Sequence, residues 1–410
     1  MFDIKWKDGV PDENGLMAEI IEKPLGYVAF EDRTMWASEP TQHNAKNMNC
    51  LEQRYYCNGI NDNEVLSQMS KDFFKSYVLP GNASMRIIVS SGDGFVGETE
   101  NPLGNRPTTT DSDPDRFWDL GMEGYSGNRK LYLDFSNARF KRKSLGNGEV
   151  VSKIWHIARM RVNSKNVVVE RCNLEFEINL NFSSGLGHFY GIHGGGKFVE
   201  CTSWVESRHG RIYGFFGAGK YIDCTGTGEI TAGNSFGFHG NGEYINCTGS
   251  GNSVSGIGYG YFGDGKYYMG CIGKGESVDS NALGFAGSGK FLNCTGTAVA
   301  GTDSYGFYVN DGVLSNCTAY AYSASSSATS VYAIYVESTA GNKAIITNCI
   351  CPQLDKLRFY QQRVGIKVNG STSGAQFIVS NNMVYGRAVG IQTHTGAGNY
   401  NTQNIDITTW

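Results

Sequence analysis

Pairs of acidic side chains recur 23 residues apart in the middle of the chain, and paired carboxylates can cleave glycosidic bonds. Glu200 and Asp223 form one pair, and Glu206 and Glu229 form another. If a 23-residue unit repeats in space, the two carboxylates of a pair lie about 5 Å apart, the separation expected of a retaining glycosidase. All four are therefore candidate catalytic residues. The alternative is that each is a solvent-exposed turn carboxylate, and the sequence leaves both interpretations open.

The segment from Trp204 to Gly210 combines four kinds of chemistry within seven residues. Trp204 offers an aromatic platform, Glu206 an acid, Arg208 a cation and His209 an imidazole. Such a set could bind a sugar ring and act on it. A surface turn with mixed side chains is the plain alternative.

A second group of candidates lies in a repeated aromatic phrase. The phrase reads Tyr213-Gly214-Phe215-Phe216-Gly217 and recurs as Phe236-Gly237-Phe238-His239-Gly240. If Phe215 and its equivalents point inward, strand alternation sends the other column outward. That outward column is His193, Phe216, His239, Phe262 and Tyr308. Outward rings suit stacking against sugars, and they equally suit a contact between chains.

These candidates are positioned by an internal repeat. Cysteines stand at 172, 201, 224, 247, 271, 294, 317 and 349, so most steps are 23 or 24 residues. A period of this length is typical of a solenoid. The units are rich in glycine and β-branched residues and poor in leucine, which excludes helical and leucine-rich repeats. The sequence therefore predicts an all-β, right-handed parallel β-helix.

The recurring cysteines are expected to be structural. Stacked rungs place each thiol about 4.8 Å from the next, in a buried column beside the aromatic residue three places earlier. No Cys-x-x-Cys pair occurs, and histidine is not clustered with cysteine. We expect no metal, no cofactor and no disulfide framework.

Composition restricts the partners. The chain has 410 residues and a net charge of −4, which does not favour nucleic-acid binding. No apolar run of 18 residues occurs, so we expect no membrane insertion. The first residues lack the pattern of a signal peptide, and we expect synthesis in a reducing cytoplasm.

Two domains are predicted. Residues 1–80 are expected to be an attachment and oligomerisation segment with two short helices. One helix begins near Asn44 and places Met48, Leu51 and Tyr55 on one face, and the other spans 62–77. Residues 81–410 are expected to form the β-helix, most regular over 166–350, with a polar insertion at 91–127.

The rungs resemble pectate-lyase-like β-helix proteins in the phrases NSKNVVVERCNLEF (163–176) and FIVSNNMVYGRAVGIQ (377–392). The phrases IKWKDG (4–9) and HNAKNMNCLEQ (43–53) resemble the start of tail appendage and baseplate proteins from phages of Gram-positive bacteria. Together they are similar to a phage tailspike or tail receptor-binding protein.

This resemblance implies a homotrimer in the virion tail or baseplate, attached through residues 1–80. It also implies recognition of a bacterial surface polysaccharide, with depolymerase activity as an open question. Two alternatives remain: a glycan hydrolase or lyase of pectate-lyase-like type, for which Arg208 or His209 would serve as the lyase base, and a purely structural baseplate or spike protein.

Overall fold

The computed structural model describes the regular part of the chain almost continuously. The described residues are 2–6, 18–22, 30–31, 53–58, 85–90, 118–122, 131–137, 143–145, 150–151, 156–162, 165–182, 187–324, 328, 330–338, 343–352, 360–361, 364–370, 376–385, 389–392, 399–402 and 404–407. Within them the chain forms a parallel β-helix of about six turns, with rungs of about 23 residues. The predicted fold class is confirmed.

Each rung contributes one strand to each of three parallel sheets, here named A, B and C. Sheet A contains Gln53–Asn58, Met85–Ser90, Leu131–Asn137, Val167–Glu170, Lys197–Val199, Lys220–Ile222, Glu243–Ile245, Tyr267–Met269, Lys343–Thr347, Gln376–Ser380 and Asn399–Thr402. Sheet B contains Lys143–Leu145, Asn173–Ile178, Thr248–Ser253, Ile272–Ser277, Thr295–Ala300, Thr318–Ser323, Ile350–Cys351, Met383–Tyr385 and Ile405–Ile407. Sheet C contains Trp118–Met122, His156–Val162, His188–Gly194, Gly258–Phe262, Val331–Ser338, Val364–Gly370 and Val389–Gln392.

Four longer strands pass from one sheet to the next. Thr202–Phe216 and Thr225–His239 run from sheet B into sheet C, and Ala282–Leu292 and Ser304–Ser315 run from sheet C into sheet A. The remaining described strands pair outside this pattern. They are Phe2–Trp6 with Ala18–Glu22 and Phe30–Glu31, Val150–Val151 with Asn181–Phe182, and Tyr360–Gln361, which is antiparallel to the end of Thr318–Ser323.

A left-handed residue makes the turn from sheet A to sheet B in each regular rung. Its φ lies between 52° and 63° at Arg171, Glu200, Asp223, Asn246, Gly270, Asn293, Asn316, Asn348 and Asn381. Gly and Asn tolerate this conformation best, which explains why they hold most of these positions. The next residue is the recurring cysteine, so the turn directs the thiol into the core.

The cross-section of the β-helix is wide at one end, where columns of aromatic rings and cysteine thiols fill the core. One ring column, Phe215, Phe238, Tyr261, Phe285 and Phe307, stacks at 4.7 to 4.9 Å between ring centroids. The other, Phe198, Tyr221, Tyr244, Tyr268 and Phe291, stacks at 4.5 to 5.2 Å and meets the first edge to face. Offset and edge contacts of this kind stabilise a core beyond its buried area.

The cysteines continue this core as predicted. Those of the repeat are free thiols and at most 1% exposed. Cys224 and Cys247 each donate to the carbonyl oxygen two residues earlier, at 3.2 Å. Burial raises the pKa of Cys172 and Cys224 well above its usual range, so these thiols stay protonated. At the C-terminal end Asn382 occupies the position that cysteine holds in the earlier rungs. Its side-chain oxygen accepts a hydrogen bond from the Cys349 backbone N–H at 2.8 Å.

The other end of the cross-section is narrow. A Cβ added at Gly226 would lie 2.4 Å from the carbonyl oxygen of Gly237, and one at Gly249 equally close to that of Gly260. Sheets B and C therefore pack backbone to backbone there, which only glycine permits. The turn between the two sheets forms a thin edge along the axis.

The structure tests the N-terminal predictions at only a few described residues. Gln53–Asn58 is a strand paired with Met85–Ser90, so a helix carrying Tyr55 is wrong. The pairing partner decides the conformation there, overriding the local pattern. The helix predicted over 62–77 lies outside the described residues. Trp118–Met122, within the predicted 91–127 insertion, pairs into sheet C. The described residues include no helix long and apolar enough to cross a bilayer.

Replacing Tyr261 by Phe should raise the free energy of unfolding by about 1 kcal/mol. The Tyr261 hydroxyl is buried and has no hydrogen-bond partner among the described residues, and a buried hydroxyl without a partner is destabilising. Tyr244→Phe is the matched control, because the Tyr244 hydroxyl donates to the Gly240 carbonyl oxygen at 3.0 Å. The control should lower the free energy of unfolding by about 1 kcal/mol. Urea unfolding measures both, and equal effects of the two variants would contradict the assignment.

Candidate functional site

A long groove runs along the thin edge where sheet B turns into sheet C. Its volume is about 590 Å³. It crosses successive rungs and is lined by Glu206, Ser207, Glu229, Ile230, Thr231, Asn252, Ser253, Val254, Glu276, Ser277, Val278, Val299, Ala300 and Ala324. We call it the carboxylate groove. Among the described residues that line it there is no lysine, arginine or histidine.

Strand alternation places the carboxylates in this groove. In Thr202–Phe216 the residues Ser203, Val205 and Ser207 are buried, so Glu206 faces outward. In-register pairing then stacks Glu206 on Glu229 of the next rung.

The outward column continues from Glu229 to Asn252 and from Asn252 to Glu276. Paired positions in neighbouring parallel strands lie about 4.8 Å apart. The Cα atoms of Glu206 and Glu229 are therefore about 5 Å apart, and those of Glu229 and Glu276 about 10 Å apart. Glu206 and Glu229 are half-buried, and Glu276 is exposed.

The column extends below the groove to Glu177, which pairs with Glu206. Its carboxylate accepts from the Ser144 hydroxyl at 2.7 Å and from the Asn179 side chain at 3.1 Å. This residue was not among the predicted candidates, although its position in the repeat was readable from the cysteine spacing.

Trp204, Arg208 and His209 lie near Glu206 in the chain but do not line the groove. Trp204 is half-buried on the outer face of sheet B, two residues before Glu206, between Glu175 and Thr227 of the adjoining rungs. Arg208 is exposed, and His209 is half-buried in the turn. The Ser207 hydroxyl donates to the His209 carbonyl oxygen at 2.7 Å and holds this turn.

The pair Glu200 and Asp223 lies elsewhere. Both are exposed residues of the left-handed turn between sheets A and B, with φ of 53° and 52°. They occupy adjacent rungs, as predicted, and neither lines the carboxylate groove. The turn explains why most equivalent positions hold asparagine, because the position selects for backbone conformation.

The aromatic candidates form a continuous stack on the outside of sheet C. His193, Phe216, His239 and Phe262 follow one another at centroid distances of 5.0, 4.9 and 5.0 Å. A second column was not among the predicted candidates, although Tyr213 and Phe236 begin the two quoted phrases. It consists of Tyr190, Tyr213, Phe236 and Tyr259, stacked at 4.7 to 4.9 Å.

The two columns meet edge to face, for example at 5.2 Å between Tyr213 and Phe216. We call the whole surface the aromatic corner. Its rings largely bury one another, since Tyr213 is only 3% exposed.

The groove places carboxylates, hydroxyls and apolar side chains on one surface of the described residues. Carboxylates one rung apart match the spacing of an acid and a nucleophile in retaining glycosidases. The hydroxyls and the Asn252 amide can bind sugar hydroxyls, and Val254 and Val278 offer apolar contacts. In the described part of the chain, no three His, Cys, Asp or Glu side chains are grouped to hold a metal ion.

His239 should make the protein less stable in acid. Burial, with the nearby Arg211 charge, lowers the pKa of His239 to about 4. In the unfolded chain His239 has its ordinary pKa of about 6.5 and binds a proton below that pH. The stability that the folded state gains from neutral His239 is therefore fully present above pH 6.5 and is lost as the pH falls toward 4. We expect His239→Phe to remove up to about 3 kcal/mol of the stability loss between these pH values.

Phenylalanine fits the stack because Phe216 and Phe262 occupy the same column. Urea unfolding at a series of pH values measures the difference between wild type and variant. An unchanged pH slope in the variant would contradict the assignment.

Comparison with protein-family models, with curated proteins and with solved structures finds no match to this chain. Its function must therefore be argued from its own fold and side chains.

Proposed function

We propose that the protein is a phage tail spike or tail fibre protein that recognises a bacterial surface polysaccharide through the carboxylate groove. One observation carries the proposal: the groove follows the β-helix axis and presents chemically similar side chains at each rung. From Glu206 to Val299 the outward column covers about 19 Å. An extended polymer of repeated sugar units fits such a site better than a compact ligand does.

The groove's side chains match the surface of a sugar chain. Sugars present hydroxyls at their edges and C–H groups on their faces. Carboxylates and the Asn252 amide can pair with the hydroxyls, while the exposed side chains of Val254 and Val278 contact the apolar faces. Trp204 stands beside the groove and can stack against a ring.

We further propose that this site hydrolyses the polysaccharide. One of Glu206 and Glu229 is the nucleophile and the other is the acid/base. Their spacing is the same for either assignment. A lyase of pectate-lyase-like type would need a cation near the sugar carboxylate that it neutralises. The described groove lining offers none, and the exposed Lys274 stands beside it in the column of Trp204. The spacing of Glu206 and Glu229 is what favours hydrolysis.

The phage assignment rests on sequence resemblance at 4–9 and 43–53 together with the β-helix. In this proposal residues 1–80 attach the protein to the tail or baseplate of the virion. A purely structural spike protein is the competing function, and it requires no glycan binding.

Hydrolysis is tested with purified cell-wall and capsular polysaccharides from a panel of Gram-positive bacteria. We expect one of them to be shortened, with release of reducing ends. Glu206→Gln and Glu229→Gln should each lower the rate by about 10²-fold or more, because each removes a proton-transfer or nucleophilic group. Binding of the intact polymer should persist in both variants, since the amide keeps the shape of the side chain.

Glu200→Gln and Asp223→Asn are the matched controls. They make the same chemical change in the turn outside the groove, and they should leave the rate unchanged. Loss of activity in the turn variants alone would place the reaction at the turn. Absence of both binding and cleavage across the panel would favour the structural function.

We propose that three chains assemble along the outer face of sheet B. Ile272, Ile350 and Met383 follow the same column, otherwise mostly threonine, and are 38 to 44% exposed. Exposed apolar side chains in one line favour a contact between copies.

Light scattering should return the mass of three chains. Ile272→Asp combined with Ile350→Asp should shift the protein to single chains, because the contact would bury two carboxylates. Lys220→Asp combined with Lys290→Asp is the control, because it adds two carboxylates at exposed positions of sheet A, outside this column, and should keep the trimer. A wild type that is monomeric at every concentration would rule out the trimer.

A further inference from the structure

The carboxylate groove changes its chemistry along its length. At the rungs of Glu206 and Glu229 its outward side chains are acidic or carry hydroxyls. Three rungs beyond Glu229 the same outward column holds Val299. The lining residues that follow Ser277 in the chain are all apolar, and we call them the apolar end of the groove: Val278, Val299, Ala300 and Ala324.

The edge of the β-helix has no side chain next to Val278 on the following rung. Gly301 follows Val278 there, and Ala324 follows Gly301, as their backbone hydrogen bonds to the preceding rungs show. Gly301 can carry no side chain, since a Cβ there would lie 1.8 Å from the Val278 carbonyl oxygen. Val278 is left 63% exposed, more than any other large apolar side chain among the described residues.

A hydrogen-bond acceptor stands directly beside the apolar end. Glu276 pairs in register with Val299, so their Cα atoms lie about 5 Å apart, and it precedes Val278 by two residues on the same face of the strand. No described residue donates a hydrogen bond to the Glu276 carboxylate, whereas the carboxylate of Glu177 accepts from two side chains. Glu276 therefore offers open acceptor oxygens where the polar lining meets the apolar lining.

We propose that the apolar end binds the acetamido group of an N-acetylhexosamine residue in the polysaccharide. The Glu276 carboxylate accepts a hydrogen bond from the amide N–H, and Val278 and Val299 contact the methyl group. An acetamido group carries its donor and its methyl on one small planar substituent. That matches an acceptor and an apolar contact that stand one rung apart.

Other substituents satisfy only one half of this subsite. The methyl group of a 6-deoxy sugar or of an O-acetyl ester can contact the valines, but neither substituent has an N–H for Glu276. A hydroxyl can donate to Glu276 and leaves Val278 and Val299 in contact with water. A free amino group pairs with Glu276 but brings a charge against apolar side chains, which is unfavourable. The acetamido group satisfies both halves.

The subsite is placed for recognition and not for bond cleavage. Glu276 lies about 10 Å along the axis from Glu229, so the N-acetylated sugar is two rungs away from the proposed cleavage position. Glu276 is therefore a specificity residue outside the catalytic pair. This inference rests on the proposed function, because it names the class of glycan that the groove takes.

Three hexasaccharides with the same β-1,4 backbone test the inference, because they differ only at carbon 2 of each sugar. N-acetylchitohexaose carries acetamido groups there, chitohexaose carries amino groups and cellohexaose carries hydroxyls. In calorimetric titrations, wild type should bind N-acetylchitohexaose about tenfold or more tightly than cellohexaose. The titrations are run at high salt, which screens the attraction between chitohexaose and the carboxylates. Under that condition chitohexaose should bind no more tightly than cellohexaose.

Two variants should reduce this preference without unfolding the protein. Glu276→Val removes the acceptor, and valine already holds the same column one rung on, at Val299. It should lower the affinity ratio of N-acetylchitohexaose to cellohexaose about tenfold. Val278→Ser removes the methyl contact at an exposed position and should lower the ratio about threefold or more. Val313→Ser makes the same change in sheet A, outside the groove, and should leave the ratio unchanged.

The surface polysaccharide found by the hydrolysis panel gives a second, independent test. Strong hot alkali removes N-acetyl groups, whereas mild alkali removes only O-acetyl esters. Binding should be lost after N-deacetylation, return after chemical re-N-acetylation, and persist after mild alkali. If wild type binds none of the hexasaccharides, this test alone decides.

The outcomes separate the inference from the proposed function. A surface polysaccharide that is bound and cleaved equally well after N-deacetylation, or an unchanged affinity ratio in Glu276→Val, would overturn the acetamido subsite and leave the proposed function standing. Loss of binding after mild alkali would make the ligand an ester. Absence of binding to every hexasaccharide and every polysaccharide would overturn both. A change of oligomeric state in Val278→Ser would assign the apolar end to a contact between chains.

Discussion

In-register parallel pairing of successive rungs is the constraint on which the rest of the structure depends. It places each side chain about 4.8 Å from its own equivalent, so every position becomes a column. Aromatic rings, thiols and amides can stack on side chains of the same type in the neighbouring rungs. The rings stack face to face, the buried thiols donate to carbonyl oxygens, and the Asn382 side chain donates to Asn404. Carboxylates repel theirs unless they are solvated or paired. The column Glu206, Glu229, Asn252, Glu276 therefore costs stability that a column of threonine or asparagine would not.

The same constraint explains how much of the fold was predictable. A period of 23 or 24 residues, with cysteine and aromatic phrases at fixed offsets, already specifies a parallel β-helix with those residues in its core. The N-terminal part lacks the period, and there local pattern misled. Met48, Leu51 and Tyr55 have helical spacing, yet Tyr55 lies in Gln53–Asn58, which pairs with Met85–Ser90 as a strand. A pairing partner more than 30 residues away is not visible in a local pattern.

The candidate site was predictable as a set of columns but not as a surface. Spacing alone treats Glu200 with Asp223 and Glu206 with Glu229 as equivalent pairs. Backbone conformation distinguishes them, and its signal was present in the sequence, because asparagine and glycine at the positions equivalent to Asp223 indicate a left-handed turn. The groove itself depends on the width of the cross-section. That width follows from the close approach of Gly226 and Gly237, a contact between the sheet B and sheet C parts of Thr225–His239 that the period does not reveal.

One rung departs from its columns on several faces, and the carboxylate groove crosses it. Gly270 replaces a turn asparagine, Ile272 replaces a threonine, and Leu283 and Ala286 replace rings, while Glu276 restores the acid after Asn252. The neighbouring rungs fold with the usual residues at these positions, so folding does not require the changes. In a solenoid of near-identical rungs, such a rung marks one level on an otherwise uniform axis. A repetitive polymer bound along the groove could otherwise slide by one rung at little cost. The side chains that differ at that level would fix its register.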